Sequence, residues 1–255
     1  MHDRTVALKI VDALDLAPTD AVVEIGPGRG ALTNLLAKWA GHLTAIEMDD
    51  SLAPALVGRF VSDASVKIVH GNALEVDPAG LVESGRPYKL VGNLPYNVAS
   101  PIIRRFLTAP QRPDLLVVML QREVAESMTA VPGDMTYLSV EVQLRAHVRK
   151  LFTVPPTAFR PRPKVTSAVV EITPHPEPVL DLNSEEQFLE LVRAGFSARR
   201  KQLHNSLRNG LDMDAAPVDD ILQASGVDGT RRAQTLSLTE WSAVYDALLK
   251  LEPRA

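Results

Sequence analysis

The stretch "AVVEIGPGRGALTNLLAKWA", Ala21 to Ala40, decides the fold. Its first five residues are apolar apart from one acid, and the next five hold Gly26, Gly28 and Gly30. The remainder carries apolar residues at helical spacing. A strand that turns through glycines directly into a helix is the opening unit of a parallel sheet covered by helices. Outward from it, "LTAIE" (43–47), "VKIVH" (66–70), "YKLVG" (88–92), "LLVVMLQ" (115–121), "RKLFTV" (149–154) and "SAVVEI" (167–172) read as further strands. "SPIIRRFL" and the N-terminal "MHDRTVALKIVDAL" have the periodicity of helices. The last two strands are joined by the proline-rich "PPTAFRPRPKVT" with no helix between, which predicts an antiparallel pair at one edge. The expectation is an α/β, Rossmann-like domain over residues 1–178 with a seven-stranded mixed sheet. After "TPHPEPVLDLNSEEQ", which reads as a linker, a small all-α domain is expected over 179–255. A Ser-x-x-Gln cap at Ser184 opens it, and turns fall at Gly210, Gly226 and Gly229.

With 45% hydrophobic residues and a mean hydropathy near zero, the chain fits a soluble protein with a sizeable core. It contains no cysteine, which excludes a disulfide framework, Cys-based zinc sites and a Cys nucleophile, and is compatible with a cytoplasmic life. The six histidines are scattered, so no metal is expected. The N-terminus lacks a signal pattern, and the longest apolar run, Leu115 to Leu120, is too short to cross a bilayer. A net charge of -4 gives no general attraction to nucleic acid, but its distribution is uneven. Gln143 to Val170 carries Arg145, Arg149, Lys150, Arg160, Arg162 and Lys164 without one acid. Leu191 to Leu211 carries Arg193, Arg199, Arg200, Lys201 and Arg208, again with none. Such zones in an acidic chain suggest a localised anionic partner, or else two solvated faces.

Glycines between strand and helix let the backbone turn sharply and approach a ligand at the helix N-terminus. Glu47 ends the next strand, about twenty residues on, where a carboxylate can accept both ribose hydroxyls of an adenosine. The spacing Gly26-Pro-Gly28-Arg-Gly30 departs from the G-x-G-x-x-G of dinucleotide enzymes. Glu24, two residues before the turn, would repel a pyrophosphate and suits a cationic amino-acid end. Together these favour S-adenosylmethionine over NAD. Asn72 follows the third strand, where its amide can pair with an adenine edge or simply make a turn.

The fourth strand stops at "NLPYNVASP", Asn93 to Pro101. Ligands of open α/β sheets bind beyond the carboxyl ends of strands, so Asn93 is expected to share a crevice with Gly26, Glu47 and Asn72. Its amide oxygen and the Leu94 carbonyl, aimed by the bend at Pro95, can both accept from an exocyclic amino group. Two such acceptors draw the nitrogen lone pair out of conjugation, and Tyr96 offers a flat face for a base. The arrangement suits methylation of a base amino group; carbon methylation of a pyrimidine typically needs the cysteine this chain lacks. Phe159 stands in a polar, proline-rich loop, where it can close on the other face of an extruded base or plug the sheet edge.

These residues carry a resemblance. "VVEIGPGRGALT", "AIEMDDSL", "VGNLPYNVASPII", "LQREVAESMTAVPGDMTYLSV", "VPPTAFRPRPKVTSAVV", "RRKQLHNSL" and "RRAQTLSL" are together similar to the 16S ribosomal RNA dimethyladenosine transferases, the KsgA/RsmA family. The resemblance runs almost the full length of the chain and implies a class I methyltransferase domain followed by a helical rRNA-binding domain. It implies transfer of four methyl groups from S-adenosylmethionine to N6 of two adjacent adenosines near the 3′ end of 16S rRNA. The substrate would be a late assembly intermediate of the 30S subunit, and the enzyme cytoplasmic, monomeric and not membrane-bound. Carried over by position, Gly26, Glu47, Asn72 and Asn93 would contact the cofactor, with Glu24, Gly28 and Gly30 in the same turn. Asn93 to Tyr96 and Phe159 would hold the target adenine. Arg199, Arg200 and Lys201 would belong to an rRNA-binding face, together with Arg160, Arg162 and Lys164 of the proline-rich loop.

Two departures bear on the cofactor. The family usually has Asp where this chain has Asn72, and members usually carry a longer N-terminal arm with a Gln-Asn-Phe-Leu-like motif over the cofactor. This sequence starts at about the last residue of that motif, so weaker cofactor binding or a different start is expected. The alternatives are the resistance-type relative that methylates one adenine of 23S rRNA, a non-catalytic RNA-binding assembly or transcription factor on the same scaffold, and an NAD oxidoreductase.

Overall fold

The computed structural model describes residues 2–251. All seven expected strands form: β1 (Ala21–Ile25), β2 (His42–Glu47), β3 (Val66–His70), β4 (Tyr88–Asn93), β5 (Leu115–Gln121), β6 (Ala146–Val154) and β7 (Ser167–Pro174). They make one sheet in the order β3-β2-β1-β4-β5-β7-β6. β1 to β5 pair in parallel, and β7 runs antiparallel to both β5 and β6, so the expected hairpin closes one edge. β6 starts three residues earlier than "RKLFTV" suggested, and an irregularity between Lys150 and Phe152 blurs its alternation. β1 is buried along its whole length, as a central parallel strand covered on both faces must be.

The helices are α1 (Arg4–Ala13), α2 (Thr33–Leu36), α3 (Leu52–Phe60), α4 (Ala99–Leu107), α5 (Arg122–Met128), α6 (Tyr137–Gln143), α7 (Glu185–Gly195), α8 (Leu203–Gly210), α9 (Ala215–Ser225) and α10 (Leu238–Leu251). α1 starts where the Asp3 carboxylate accepts from the amides of Thr5 and Val6 at 2.8 and 3.2 Å. Its buried Val6 and Ile10, with Leu14 just after it, join Leu32 and Leu36 over Val22, Val91, Val117 and Val169 of the sheet. α2 is far shorter than "GALTNLLAKWA" predicted. It follows three left-handed glycines and lacks a side-chain cap, so its flanks stay as tight turns.

The chain folds as two compact units, each with its own core. One runs to Glu126 and resumes over Ala146–Pro174; the other comprises Ser127–Arg145 and the chain from His175 onward. This corrects the expected division at 178/179 in two ways. The boundary falls at Pro174, where the His175 amide bonds the Arg145 carbonyl (2.9 Å) and its ring bonds the Gln143 carbonyl (3.0 Å). The segment Ser127–Arg145, expected in the sheet domain, belongs to the helical unit, because Met135, Val140 and Leu144 are buried in that unit's core with Phe188, Leu203, Trp241 and Tyr245. α7 opens as expected, with Ser184 Oγ accepting from the Gln187 amide at 3.3 Å. Gly226 ends α9 in the left-handed conformation.

Candidate active site

In the sheet order, β1 leads outward to β2 and β3, and the chain then returns to β4 on β1's other side. The carboxyl ends of β1 and β4 therefore flank the topological switch point, where open α/β sheets hold ligands. The two strands can lie this close because residue 92 is glycine: a Cβ there would stand 2.5 Å from the Ile25 carbonyl oxygen. Beyond these strand ends lies a cavity of about 840 Å³ within the sheet unit, a volume usual for a small-molecule site.

The structure brings Gly26, Gly28, Glu47, Asn93, Leu94, Pro95, Tyr96 and Phe159 together on its wall. Gly26, Gly28 and Gly30 all have positive φ (68°, 59° and 81°), which side-chain-bearing residues rarely adopt. Glu47 holds this turn: its Oε2 accepts from the Gly28 amide at 2.8 Å and its Oε1 from the Asp49 amide at 3.0 Å. Each oxygen keeps a lone pair for a further donor. At the other end the Leu94 amide bonds the Met119 carbonyl (2.9 Å), and the Val98 amide closes a turn onto the Pro95 carbonyl (3.1 Å). The Tyr96 hydroxyl lies 2.8 Å from Ser167 Oγ. Phe159 is only 7% exposed, so it belongs at once to the cavity wall and to the core beneath, with Val154, Ala158 and Val169. The amides of His2 and Asp3 both donate to the Ala158 carbonyl, at 2.9 and 3.3 Å, which pins the start of the chain beside Phe159; Met1 lies outside the described residues.

Three expected residues stand off the wall. Glu24 lies buried within β1, 1% exposed, and its Oε2 has no hydrogen-bond partner. Burial pushes its carboxyl up to about 8, with Thr33 working against the shift and the charge of Glu47 adding to it. Gly30 meets Arg59, whose Nη1 bonds the Arg29 carbonyl at 2.9 Å. Asn72 makes a turn: its Oδ1 accepts from the Leu74 amide, and its Nδ2 donates to Glu75 Oε1, both at 3.0 Å.

Sequence reasoning missed Met48, Asp49, Asp50, Ser51, Leu52, Pro161 and Pro163, all on the cavity wall. "AIEMDDSL" carried the signal, since the residues after a ribose-positioned acid continue along the crevice. The Asp49 carboxylate accepts from Ser51 Oγ (2.6 Å) and from the amides of Ser51 and Leu52 at the start of α3, which hold it below the usual carboxylate range. No lining residue is a cation, whereas Glu47, Asp49 and Asp50 are acids. That donor set does not fit a pyrophosphate. It fits S-adenosylmethionine, a nucleoside that carries positive charge and no phosphate, whereas NAD brings a pyrophosphate to the turn.

Arg160, Arg162 and Lys164 are exposed on the loop between β6 and β7. The pairing of Ser167 with Gln121 sets that loop beyond the carboxyl end of β5. The rest of the first basic zone is neutralised by the fold: Arg149 pairs with Glu171 at 2.8 Å, Arg145 with Glu185, and Lys150 with Glu126 at 3.9 Å. Arg199, Arg200 and Lys201 are exposed between α7 and α8 of the helical unit. Among the described residues no group of three or more His, Asp or Glu stands close enough to hold a metal, and no helix is long and apolar enough to cross a membrane.

This sheet order, with β7 inserted antiparallel between β5 and β6, is that of the Rossmann-like methyltransferases, and the cavity lies where that class of protein holds its nucleoside. The ribosomal RNA adenine dimethylase family matches residues 1–244, and the chain belongs to that family. It is 43% identical over 233 residues to the ribosomal RNA small subunit methyltransferase A of Dehalococcoides mccartyi strain 195, covering 91% of this chain and 80% of that protein. The enzyme of the same description from Geobacter metallireducens is 40% identical over 254 residues, covering 98% and 92%. Among solved structures, a dimethyladenosine transferase from Plasmodium falciparum superposes with a TM-score of 0.83 at 24% identity, covering 98% of this chain and 97% of that one. The 23S rRNA methyltransferase ErmE superposes with a TM-score of 0.75 at 26% identity, covering 97% and 98%.

Proposed function

We propose that the chain transfers methyl groups from S-adenosylmethionine to N6 of two adjacent adenosines near the 3′ end of 16S rRNA, on a 30S assembly intermediate. The observation that carries this reading is one cation-free cavity shared by the glycine turn with Glu47 and by Asn93 to Tyr96. Membership of the adenine dimethylase family and 40–43% identity to small subunit methyltransferases support it. A cytoplasmic, monomeric enzyme is part of the proposal.

S-adenosylmethionine, when bound, supplies an electrophilic methyl group on a positively charged sulfur. Glu47 would accept from its ribose, Gly26 and Gly28 would let the backbone approach, and Asp49 and Asp50 would favour its positive charge. The target adenine, extruded from its stack, would lie between Tyr96 and Phe159. Asn93 Oδ1 and the Leu94 carbonyl would accept from its amino group and turn the nitrogen lone pair out of the ring. Pro95 fixes the bend that follows the two acceptors. No strong base is needed, because the alkylated nitrogen becomes acidic and loses its proton to water. Arg160, Arg162 and Lys164, and on the helical unit Arg199, Arg200 and Lys201, would neutralise rRNA phosphates.

The test is incubation with labelled S-adenosylmethionine and unmethylated 30S particles, followed by mapping of the modified nucleotides. Label in two adjacent N6,N6-dimethyladenosines is expected; no label in adenosine overturns the proposal. The likeness to ErmE favours a second reading, methylation of one adenine in 23S rRNA, so naked 23S rRNA belongs in the same assay. An Asn93→Ala variant that keeps its full cellular effect would point instead to a non-catalytic RNA-binding factor.

A further inference from the structure

Tyr96 sits in a turn, and its ring is held at its far end. The phenol oxygen lies 2.8 Å from Ser167 Oγ, and Ser167 is fully buried at the first residue of β7. Ladders hold Ser167 on both sides, opposite Gln121 of β5 and Val154 of β6, so its backbone is held by the sheet. The phenol oxygen lies on the axis of the second side-chain torsion, so anchoring it fixes the first torsion and the place the ring occupies. Ser167 also ends the loop that carries Phe159, Pro161 and Pro163 along the cavity wall. Both aromatic walls are therefore tied to one strand end, Tyr96 through the Ser167 hydroxyl and Phe159 through the loop.

We infer that Ser167 is a positioning residue for methyl transfer, its hydroxyl holding the Tyr96 ring at the place on the cavity wall where the target adenine lies. The inference rests on the proposed function, since Tyr96 has a base to support only if the chain methylates one. Ser167 touches neither the base nor the cofactor and acts through the Tyr96 phenol alone.

Two measurements test it. In the first, the rings of the four tyrosines are 13C-labelled and the Tyr96 signal is assigned with Tyr96→Phe. Ser167→Ala should move that signal and leave the other three unmoved. In the second, single-turnover methylation of 30S particles is compared for Ser167→Ala, Tyr96→Phe and the double variant. Loss of one hydrogen bond predicts about a fivefold fall in rate for each single variant, with an unchanged dissociation constant for S-adenosylmethionine. The double variant should fall no further, because both changes remove the same bond. Ser167→Thr, which keeps the hydroxyl, should restore the Tyr96 signal and the rate. A Tyr96 signal that ignores Ser167→Ala, or losses that multiply to about 25-fold in the double variant, would overturn the inference. If the wild type transfers no methyl to adenosine, the functional reading fails, and the spectroscopic arm still decides whether Ser167 holds the ring.

Discussion

Glu24 offers a quantitative check on the buried side of this site. Its carboxyl is raised from 4.5 to about 8, first because burial disfavours the charge and further because Glu47 is nearby, with Thr33 opposing. The folded state thus holds the Glu24 proton more tightly than the unfolded chain does. The stability that this proton supplies is full below about pH 4.5 and is lost as the pH rises through about 8. At about 1.4 kcal/mol per pH unit, the loss approaches 5 kcal/mol across the whole interval. Glu24→Gln removes the ionisation and keeps the shape. Any constant cost of the new amide cancels when the two proteins are compared across pH. Between pH ~5.5 and ~7.5 the variant should gain about 2.5 kcal/mol on the wild type, and less than about 1 kcal/mol more by pH ~9. Urea unfolding followed by circular dichroism at constant ionic strength reads this difference directly. Glu47→Gln removes a charge that raises Glu24, so the loss should level off at a lower pH and be smaller in total. Parallel pH profiles for wild type and Glu24→Gln would refute the reasoning.

Asn93→Ala removes one of the two acceptors for the target amino group, and single-turnover transfer should fall by about 10²–10³ with the melting temperature nearly unchanged. Gly92→Ala places a Cβ 2.5 Å from the Ile25 carbonyl, so β1 and β4 must part; thermal unfolding should show a loss of about 1–3 kcal/mol together with weaker cofactor binding by calorimetry. Gly195→Ala puts a Cβ 2.3 Å from the Trp241 ring in the helical unit. Trp241 is buried and the other tryptophan, Trp39, is 59% exposed, so a shift in buried-tryptophan emission should report the strain while cofactor binding in the sheet unit persists. Glu240, bonded to Arg231 and held at about 2, contributes stability above pH ~4.5 that is lost as the pH falls towards 2; Glu240→Gln should flatten acid unfolding in that window.

The seven strands were legible because each is a short local run of apolar residues bounded by turn formers, and the antiparallel edge pair followed from one proline-rich connection without a helix. The helical unit was legible only in part. "MTYLSVEVQ" contributes α6 to that unit's core, but its partners, Phe188 and Trp241, lie some 50 and 100 residues further on. No local pattern distinguishes a helix that packs on the sheet from one that joins another core. The same holds for α2, where helical spacing was outweighed by the left-handed glycines before it. Periodicity reports which face is apolar, and contact over distance decides what that face meets.

The site divides along the same line. Residues at strand ends, Gly26, Glu47 and Asn93, line one cavity because the end of a strand is a local event and the topology then gathers such ends at one edge. Glu24 and Asn72 were read by the same proximity, yet one faces the protein interior and the other spends its amide within its own turn. Whether a side chain faces a cavity depends on its neighbours across the sheet, which sequence order does not supply. Charge shows the point most plainly. A net charge of -4 suggests little about an RNA partner, and an acid-free run of six cations suggests much. In the fold three of those six are paired with acids from elsewhere, leaving Arg160, Arg162 and Lys164 on the loop beyond β5. Acids line the cavity where a cationic nucleoside would sit, while these cations occupy the loop that also carries Phe159. The two signs cancel in the sum, and only their separation in space makes either one informative.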